Sequence, residues 1–140
     1  MREYIITVHR KPIPASRPRV TRWSSYYKEP YNSYKDILKD IMMNESGSLL
    51  KPVFDASMAL KIDIIFELEI PKSLSKKKQE LLVGRLHTKK PDIDNLVKSV
   101  LDAMNDIWFK DDGQIACLSV VKKYSREPKT IIVIKEINEC

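Results

Sequence analysis

The sequence predicts an α/β fold of the α+β type, in which a single mixed sheet carries helices mainly on one face. In residues 58–70 every even position is apolar, and this alternation is typical of a long strand with one buried face. In residues 93–108 the apolar residues recur at the spacing of a helix that packs one stripe on a core. The order of strands and helices along the chain favours helices layered on a sheet.

The length and composition favour one domain that comprises residues 1–140. A chain of 140 residues with 43% hydrophobic content is large enough to bury its own core, and its three glycines leave no flexible linker. Residues 1–8 are too short and too mixed for a signal peptide, and no apolar run approaches the roughly 20 residues of a membrane helix. We therefore expect a cytoplasmic protein that makes no contact with a membrane.

The first half of the chain predicts a strand, a loop and a helix. Residues 4–8 are rich in β-forming side chains and predict the first strand. Three prolines exclude a helix or a central strand from residues 11–23, which we expect to form an ordered loop. The helix is predicted to begin at a cap formed by Asn32 or Ser33 and to end near Gly47.

The second half predicts a short helix, a long helix and two strands. The short helix follows a cap formed by Ser73 or Ser75, and the long helix extends toward Ile107. Residues 115–124 and 130–137 are β-rich runs separated by a turn. We expect these two runs to pair as a hairpin.

Aspartates are concentrated around the long helix of an otherwise basic chain. Asp92 and Asp94 lie at its start, while Asp111 and Asp112 lie in the turn before the next strand, which can bring a carboxylate back. Carboxylates at short range repel one another unless a cation or protons intervene, and hard oxygen ligands suit Mg²⁺ or Mn²⁺. The cluster therefore predicts a divalent metal site of the phosphoryl-transfer kind, made of Asp92, Asp94 and one of Asp111 or Asp112.

Each part of this cluster also has a purely structural interpretation. Acids in the first turn of a helix interact favourably with its dipole, so Asp92 and Asp94 are typical of helix capping. Asp111 and Asp112 are typical of an ordinary turn, and Asp94 with Lys98 is typical of an exposed pair one helical turn apart. Only the combination of these parts favours a catalytic site.

The net charge of +6 favours a polyanionic partner, and the distribution of charge favours DNA. Residues 10–35 hold seven Lys or Arg and one acid, and residues 72–90 again hold seven and one, whereas residues 92–112 hold six Asp and two Lys. A basic surface around an acidic pocket suits a metal nuclease, because the surface binds backbone phosphates. We expect the DNA contacts to come from eight residues: Arg17, Arg19, Arg22, Lys76, Lys77, Arg85, Lys89 and Lys90.

Aromatic residues follow the first group of arginines. Trp23, Tyr26, Tyr27 and Tyr31 suit stacking on unpaired bases, or alternatively fold back on the core. The prolines stiffen the preceding loop and lower the entropic cost of binding. His87, a lone histidine in the second basic segment, is open to interpretation as a general base, a phosphate contact or a residue without a role.

The acid-rich stretch resembles the signature of the RusA family of Holliday junction resolvases, which reads approximately P-D-x-D-N-x-x-K, then D-A-L, then D-D-x-Q. The corresponding residues are Pro91-Asp92-Ile93-Asp94-Asn95, Lys98, Asp102-Ala103-Met104 and Asp111-Asp112-Gly113-Gln114. The resemblance extends more loosely to the first strand, the proline- and arginine-rich loop and the last two strands. It thus covers most of the chain.

This resemblance implies a small Mg²⁺-dependent endonuclease of bacterial or phage origin, with Mn²⁺ as a substitute metal. The expected activity is the cutting of four-way DNA junctions in recombination and repair by a homodimer. Asp92, Asp94 and Asp112 match the catalytic, metal-binding acids of the family, and Lys98 matches its essential lysine. We expect supporting roles for four further residues: Asn95, Asp102, Asp111 and Gln114.

Two other functions are compatible with the same residues. The chain is a non-catalytic, structure-selective DNA-binding module if the aspartates only cap the helix, and a broader branched-DNA nuclease if it also cuts flaps or forks. A homodimer is expected for a resolvase because each chain holds one acid cluster, whereas a junction must be cut in two opposing strands. The long strand or the edge of the predicted hairpin are candidate interfaces.

Overall fold

The structure, a computed structural model, describes residues 2–47 and 50–139. These residues form a mixed four-stranded sheet, a two-stranded sheet and three helices, which confirms the predicted α+β class. None of the three helices is long and apolar enough to cross a membrane. The elements in chain order are β1 (Glu3–Val8), β2 (Arg19–Val20), β3 (Ser25–Tyr26), α1 (Tyr31–Ser46), β4 (Leu60–Glu69), α2 (Lys76–Leu82), α3 (Ile93–Met104), a 3₁₀ turn (Asp112–Gln114), β5 (Ile115–Ser125) and β6 (Lys129–Glu136).

The contacts within the chain define two units, so the prediction of a single domain over residues 1–140 stays a prediction. The first unit contains the four-stranded sheet and consists of the described residues within Met1–Pro12, Leu60–Lys90 and Ala116–Cys140. The second unit consists of the described residues within Ile13–Ala59 and Pro91–Ile115.

In the first unit, the sheet has the strand order β1, β6, β4, β5. β1 and β4 each pair antiparallel with β6. β4 is the long strand predicted from the alternation of apolar residues, and its side chains alternate between buried and more exposed positions. The buried set consists of Leu60, Ile62, Ile64, Phe66 and Leu68.

The predicted pairing of the last two strands as a hairpin is wrong, because β4 lies between β5 and β6. Adjacent strands lie about 4.8 Å apart, so residues 126–128 bridge about 10 Å, which three extended residues can span. The carboxylate of Glu67 on β4 binds the ammonium group of Lys123 on β5 at 3.9 Å and that of Lys129 on β6 at 3.5 Å. These ion pairs connect β4 to both of its neighbours. The residues of the turn between β5 and β6 do not indicate that a third strand lies between them.

The basic segment after α2 has an ordered backbone, because it pairs with β5. Ser75 caps α2 by accepting a hydrogen bond from a first-turn N–H at 3.3 Å, which decides between the two predicted caps. Beyond α2, the N–H of Gly84 donates to the carbonyl of Tyr124, and the N–H of His87 donates to the carbonyl of Lys122, each at 2.9 Å.

In the second unit, α1 and α3 contact each other. α1 begins after Pro30, so its N-cap lies two or three residues before the predicted caps, Asn32 or Ser33. The carboxylate of Glu29 instead accepts hydrogen bonds from the N–H of Ser33 at 3.3 Å and from its hydroxyl at 2.8 Å. The helix ends as predicted at Gly47, whose φ of 66° is readily adopted by glycine. The buried residues of the two helices include Tyr31, Tyr34, Leu38, Met42, Leu96, Val100, Ala103 and Met104.

α3 ends at Met104 and does not continue toward Ile107, although the apolar pattern does. Asp106 adopts a φ of 67°, and its N–H donates to the carbonyl of Phe109 at 2.8 Å, which reverses the chain. Trp108 is nevertheless buried, and its indole N–H donates to the carbonyl of Met42 at 3.2 Å. The helical spacing of these residues therefore predicted their burial correctly and their secondary structure wrongly.

Candidate functional site

Asp92 and Asp94 lie at the start of α3, as predicted, and both are exposed. Asp92 occupies the N-cap position with an extended backbone, but its carboxylate makes no side-chain capping hydrogen bond. The carboxylate of Asp94 accepts a hydrogen bond from the N–H of Asn95 at 2.9 Å. Helix capping therefore accounts for Asp94 in part and does not account for the side chain of Asp92.

The 3₁₀ turn gives Asp111 and Asp112 different positions. Asp111 precedes the turn and forms a capping box with Gln114, whose Oε1 accepts a hydrogen bond from the N–H of Asp111 at 3.1 Å. The Asp111 carboxylate lies close to Gly113, where an added Cβ would come within 3.0 Å of Oδ2. Asp112 is the exposed first residue of the turn. The turn thus uses Asp111 for its own structure, which favours Asp112 as the functional carboxylate.

Gln114 attaches this turn to the segment before β4. Its side-chain N–H groups donate to the carbonyls of Asp55 at 2.9 Å and Met58 at 3.1 Å. Its Oε1 also accepts a hydrogen bond from the N–H of Lys110 at 2.9 Å. These contacts restrain the backbone that carries Asp112, and the supporting role expected for Gln114 stays a prediction.

The chemistry of the carboxylates suits a hard divalent cation, but they do not form a ready-made cage. Within residues 2–47 and 50–139, no three Asp, Glu, His or Cys side chains are grouped so that they could hold a metal ion. Mg²⁺ in phosphoryl-transfer sites is usually bound by one or two carboxylates together with substrate phosphates. The donor set therefore fits a site that DNA helps to complete, and the assignment of Asp92, Asp94 and Asp112 as ligands stays a prediction.

Lys98 forms its ion pair with Asp102 and not with Asp94, the partner considered from the sequence. The Lys98 Nζ lies 3.4 Å from the Asp102 Oδ2, and the exposed fractions of the two side chains are 63% and 44%. Burial, followed by the charges of Asp102 and Tyr27, raises the pKa of Tyr31 to about 12. Tyr31 therefore remains a neutral phenol at neutral pH, while Asp102 pairs with the ammonium group of Lys98.

The loop predicted for residues 11–23 contains part of a short hairpin that the sequence did not predict. β2 and β3 pair antiparallel around a turn at residues 21–24. Before β2, the N–H of Ala15 donates to the carbonyl of Asn95 at 2.9 Å, so this segment is attached to the first turn of α3. We call residues 17–26 the arginine hairpin, because its exposed residues include Arg17, Arg19 and Arg22.

The other five predicted DNA contacts lie in the first unit, and all are exposed: Lys76, Lys77, Arg85, Lys89 and Lys90. Lys76 and Lys77 belong to α2, and the other three belong to the segment that follows it. Exposed ammonium and guanidinium groups on an ordered backbone suit phosphate binding. Their contact with DNA stays a prediction.

His87 packs its ring against Tyr124, with 4.5 Å between the ring centroids. Burial and the nearby charge of Lys122 lower the pKa of His87 below its usual value, and a backbone hydrogen bond with Lys89 only partly offsets this shift. The imidazole is therefore neutral at pH 7. A neutral ring offers a phosphate no charge, so the observed contact favours a packing role for His87.

We predict that replacing Arg17, Arg19 and Arg22 together by Ala weakens DNA binding and reduces its salt dependence. Each lost phosphate contact lowers the slope of log affinity against log salt by about 0.9 on duplex DNA, so three contacts give about 2.7. Fluorescence anisotropy across a salt series measures the slope. Replacing the exposed Lys39 of α1 by Ala is the control, and an unaltered slope in the triple variant would remove the arginine hairpin from the DNA interface.

Comparison with known proteins shows what this chain is similar to. Residues 10–135 match the family described as Endodeoxyribonuclease RusA. A protein of Bacillus subtilis (strain 168) described as "Uncharacterized protein YqaN" is 33% identical over 140 aligned residues, which cover 94% of this chain and 95% of the relative. The family match includes the arginine hairpin, α3 and the 3₁₀ turn, which are the elements that carry the second unit's candidate residues.

Proposed function

Because the chain belongs to the RusA family of endodeoxyribonucleases, we propose that it is a Mg²⁺-dependent nuclease that resolves four-way DNA junctions by paired, symmetric nicks. One observation supports this most strongly: Ala15, two residues before the arginine hairpin, is hydrogen-bonded to Asn95 in the first turn of α3, where the exposed Asp92 and Asp94 lie. Such an arrangement holds phosphate-binding cations and metal-binding acids in one unit. We propose that the chain acts as a single domain in the cytoplasm of bacteria or of phage-infected cells, in recombination and repair.

We assign Asp92, Asp94 and Asp112 to the binding of Mg²⁺, with Mn²⁺ as a substitute. Bound Mg²⁺ supplies the positive charge that activates water and stabilises the leaving 3′ oxygen in phosphodiester hydrolysis. Asp92 and Asp94 are exposed residues at the start of α3, so DNA can reach this end of the helix. The backbone bond from Asn95 to Asp94 limits the freedom of that carboxylate before the metal and DNA arrive.

We assign Lys98 to the reacting phosphate. Its ammonium group balances negative charge that develops during hydrolysis, or orients the attacking water. The ion pair with Asp102 holds the side chain against α3 between encounters with DNA. Asp102 is therefore a positioning residue in this proposal.

We propose that the active form is a homodimer, since two cuts in opposing strands require two acid clusters. Exposed apolar side chains on the outer strands support an interface there, for example Ile5 on β1 and Leu118 on β5. β4 is an inner strand, so its edge is not available for pairing with a second chain. Light scattering at micromolar concentration is expected to give twice the mass of one chain, and a strict monomer on junction DNA would instead favour single nicks.

A panel of labelled DNA substrates tests this function. Four-way junction, replication fork, flap and linear duplex of related sequence are incubated with the wild-type chain in Mg²⁺, in Mn²⁺ and in EDTA. We expect the junction to be cut fastest, the duplex to stay intact and all cleavage to stop in EDTA. Comparable rates on fork and flap would replace the resolvase by a broader branched-DNA nuclease.

The alternative of a non-catalytic DNA-binding module is favoured by one observation. The described part of the chain contains no ready-made group of three metal-binding side chains. In this case the arginine hairpin would bind branched DNA, and the aspartates would only support α3. Binding of the junction without cleavage, in either metal and across a pH series, would decide for this alternative.

A further inference from the structure

The turn of the arginine hairpin presents an aromatic ring to solvent. Trp23 is 85% exposed, whereas the other tryptophan, Trp108, is 1% exposed. An isolated exposed aliphatic side chain needs no explanation, but a largely exposed indole in the turn of a hairpin suits a binding contact. Val20, which is 78% exposed, lies on the same hairpin.

The turn is held in shape by the side chain of Thr21. The N–H of Thr21 donates to the carbonyl of Ser24 at 2.7 Å, and the Thr21 hydroxyl oxygen accepts from the N–H groups of Ser24 at 3.0 Å and Trp23 at 3.3 Å. The backbone N–H groups of Thr21, Trp23 and Ser24 thus all find hydrogen-bond acceptors within the turn. The indole therefore projects from an ordered backbone, which lowers the entropic cost of placing it against a partner.

Arg22 places a positive charge next to this indole. The guanidinium carbon lies 5.2 Å from the centroid of the Trp23 ring, within the range of a cation–π contact. The ring retains most of its exposure despite this contact, so a flat partner still has access to it. Indole and guanidinium together suit a partner that offers both an aromatic face and a phosphate.

The residues that flank the hairpin on both sides contact helices of the same unit. Ala15 binds Asn95 of α3, as described above, and Tyr27 contacts Tyr31 of α1 edge to face at 5.2 Å. The Lys35 ammonium also lies 5.5 Å from the Tyr27 ring centroid. The position of the turn relative to the start of α3, and so to Asp92 and Asp94, is therefore restrained.

We infer that the turn of the arginine hairpin is a stacking wedge, in which Trp23 contacts an unstacked nucleobase at the branch point of the DNA while the arginines hold the flanking phosphates. This inference rests on the proposed function and names the structural feature of the substrate that the second unit recognises. The charge supports DNA over a protein partner, because residues 10–28 contain no acid. A base within a continuous duplex has both faces covered by its neighbours, whereas a branch point offers uncovered faces.

Replacing Trp23 by Ala tests this inference through the preference for branched over linear DNA. Loss of one stacked base is expected to weaken junction binding by roughly 5- to 150-fold and duplex binding much less. Trp23→Phe, which keeps an aromatic face, is expected to restore most of the preference. Val20→Ser is the matched control, because it removes a similarly exposed apolar side chain of the same hairpin that cannot stack.

The measurement uses an immobile four-way junction with 2-aminopurine at the branch point, and a duplex of the same sequence, both in EDTA. Wild-type protein is expected to change the 2-aminopurine fluorescence on the junction only, and Trp23→Ala is expected to abolish the change. Trp23 emission should be quenched by the junction, while buried Trp108 reports that the variants are folded. Equal junction preference and equal 2-aminopurine signals for wild type and Trp23→Ala would overturn the inference.

Failure of the wedge and failure of the nuclease are separable, because the binding measurements contain no metal. A chain that passes the 2-aminopurine test but never cuts DNA in Mg²⁺ contradicts the nuclease and supports the wedge. A chain that cuts the junction in Mg²⁺ with an unchanged rate and preference after Trp23→Ala supports the nuclease and overturns the wedge.

Discussion

Replacing Asp94 by Asn is expected to lower the single-turnover rate of junction cleavage by about a thousandfold or more, while binding in EDTA stays equal or becomes tighter. The variant removes a carboxylate that we assign to Mg²⁺, and a loss of about 4 kcal/mol of transition-state stabilisation gives this factor. It also removes one negative charge near the DNA phosphates, so binding without metal does not suffer. The amide oxygen of Asn can still accept the hydrogen bond from Asn95, so α3 is expected to fold.

Asp106→Asn is the matched control for this charge change. Asp106 is an exposed aspartate in the same unit, and Asn tolerates its φ of 67°. We expect this variant to cut at the wild-type rate. Loss of junction binding in a correctly folded Asp94→Asn variant would contradict the assignment, as would undiminished cleavage.

Replacing Lys98 by Ala is expected to lower the single-turnover rate by about a hundredfold or more, with little change in junction affinity. Removal of one group that stabilises charge in a transition state typically has an effect of this size. The ion pair between Lys98 and Asp102 is largely exposed, and exposed pairs contribute little to folding. The loss of rate is therefore not expected to reflect loss of stability.

The chain offers a close control in the pair of Lys110 and Asp106. Its Nζ–Oδ1 distance is 3.5 Å, and it has the same spacing of four residues with both side chains exposed. Lys110→Ala removes the same charge from the same unit and is expected to leave cleavage intact. Equal single-turnover rates for Lys98→Ala and the wild type would remove Lys98 from the catalytic residues and would favour a purely structural ion pair.

The sequence predicted the elements whose signal is periodic or local. The alternation of apolar residues identified β4, and the aspartates were correctly expected at the start of α3. The two predicted caps of α2, Ser73 or Ser75, included the observed one, and Gly47 was correctly expected at the end of α1. Each of these depends on residues within a few positions of one another. The identity of Asp92 and Asp94 as candidate residues needed no knowledge of the tertiary structure.

The errors concern contacts between distant parts of the chain. The insertion of β4 between β5 and β6 depends on sheet pairing and on Glu67, whose ion pairs join three strands. The early end of α3 depends on a turn at Asp106, an aspartate that adopts a conformation more common for glycine. Lys98 lies four residues from both Asp94 and Asp102, so the spacing alone does not favour either partner. In the structure Lys98 pairs with Asp102.

The arginine hairpin was not predicted because its signal is weak. Its strands have only two residues each, and the prolines nearby favour an irregular loop. The hairpin turn is held by hydrogen bonds between Thr21 and Ser24. Threonine and serine are common in turns of every kind, so their presence did not predict a hairpin. The sequence alone also did not indicate that Trp23 is exposed whereas Tyr31 is buried.

The most direct test of the nuclease assignment is the mapping of cuts in all four strands of an immobile junction after incubation with the wild-type chain in Mg²⁺. We predict nicks at symmetric positions in two opposing strands, no nicks in the other two strands, and no cleavage in EDTA or by Asp94→Asn. Full occupancy of the junction without a nick at any concentration of Mg²⁺ or Mn²⁺ would contradict the assignment of the acidic residues to catalysis.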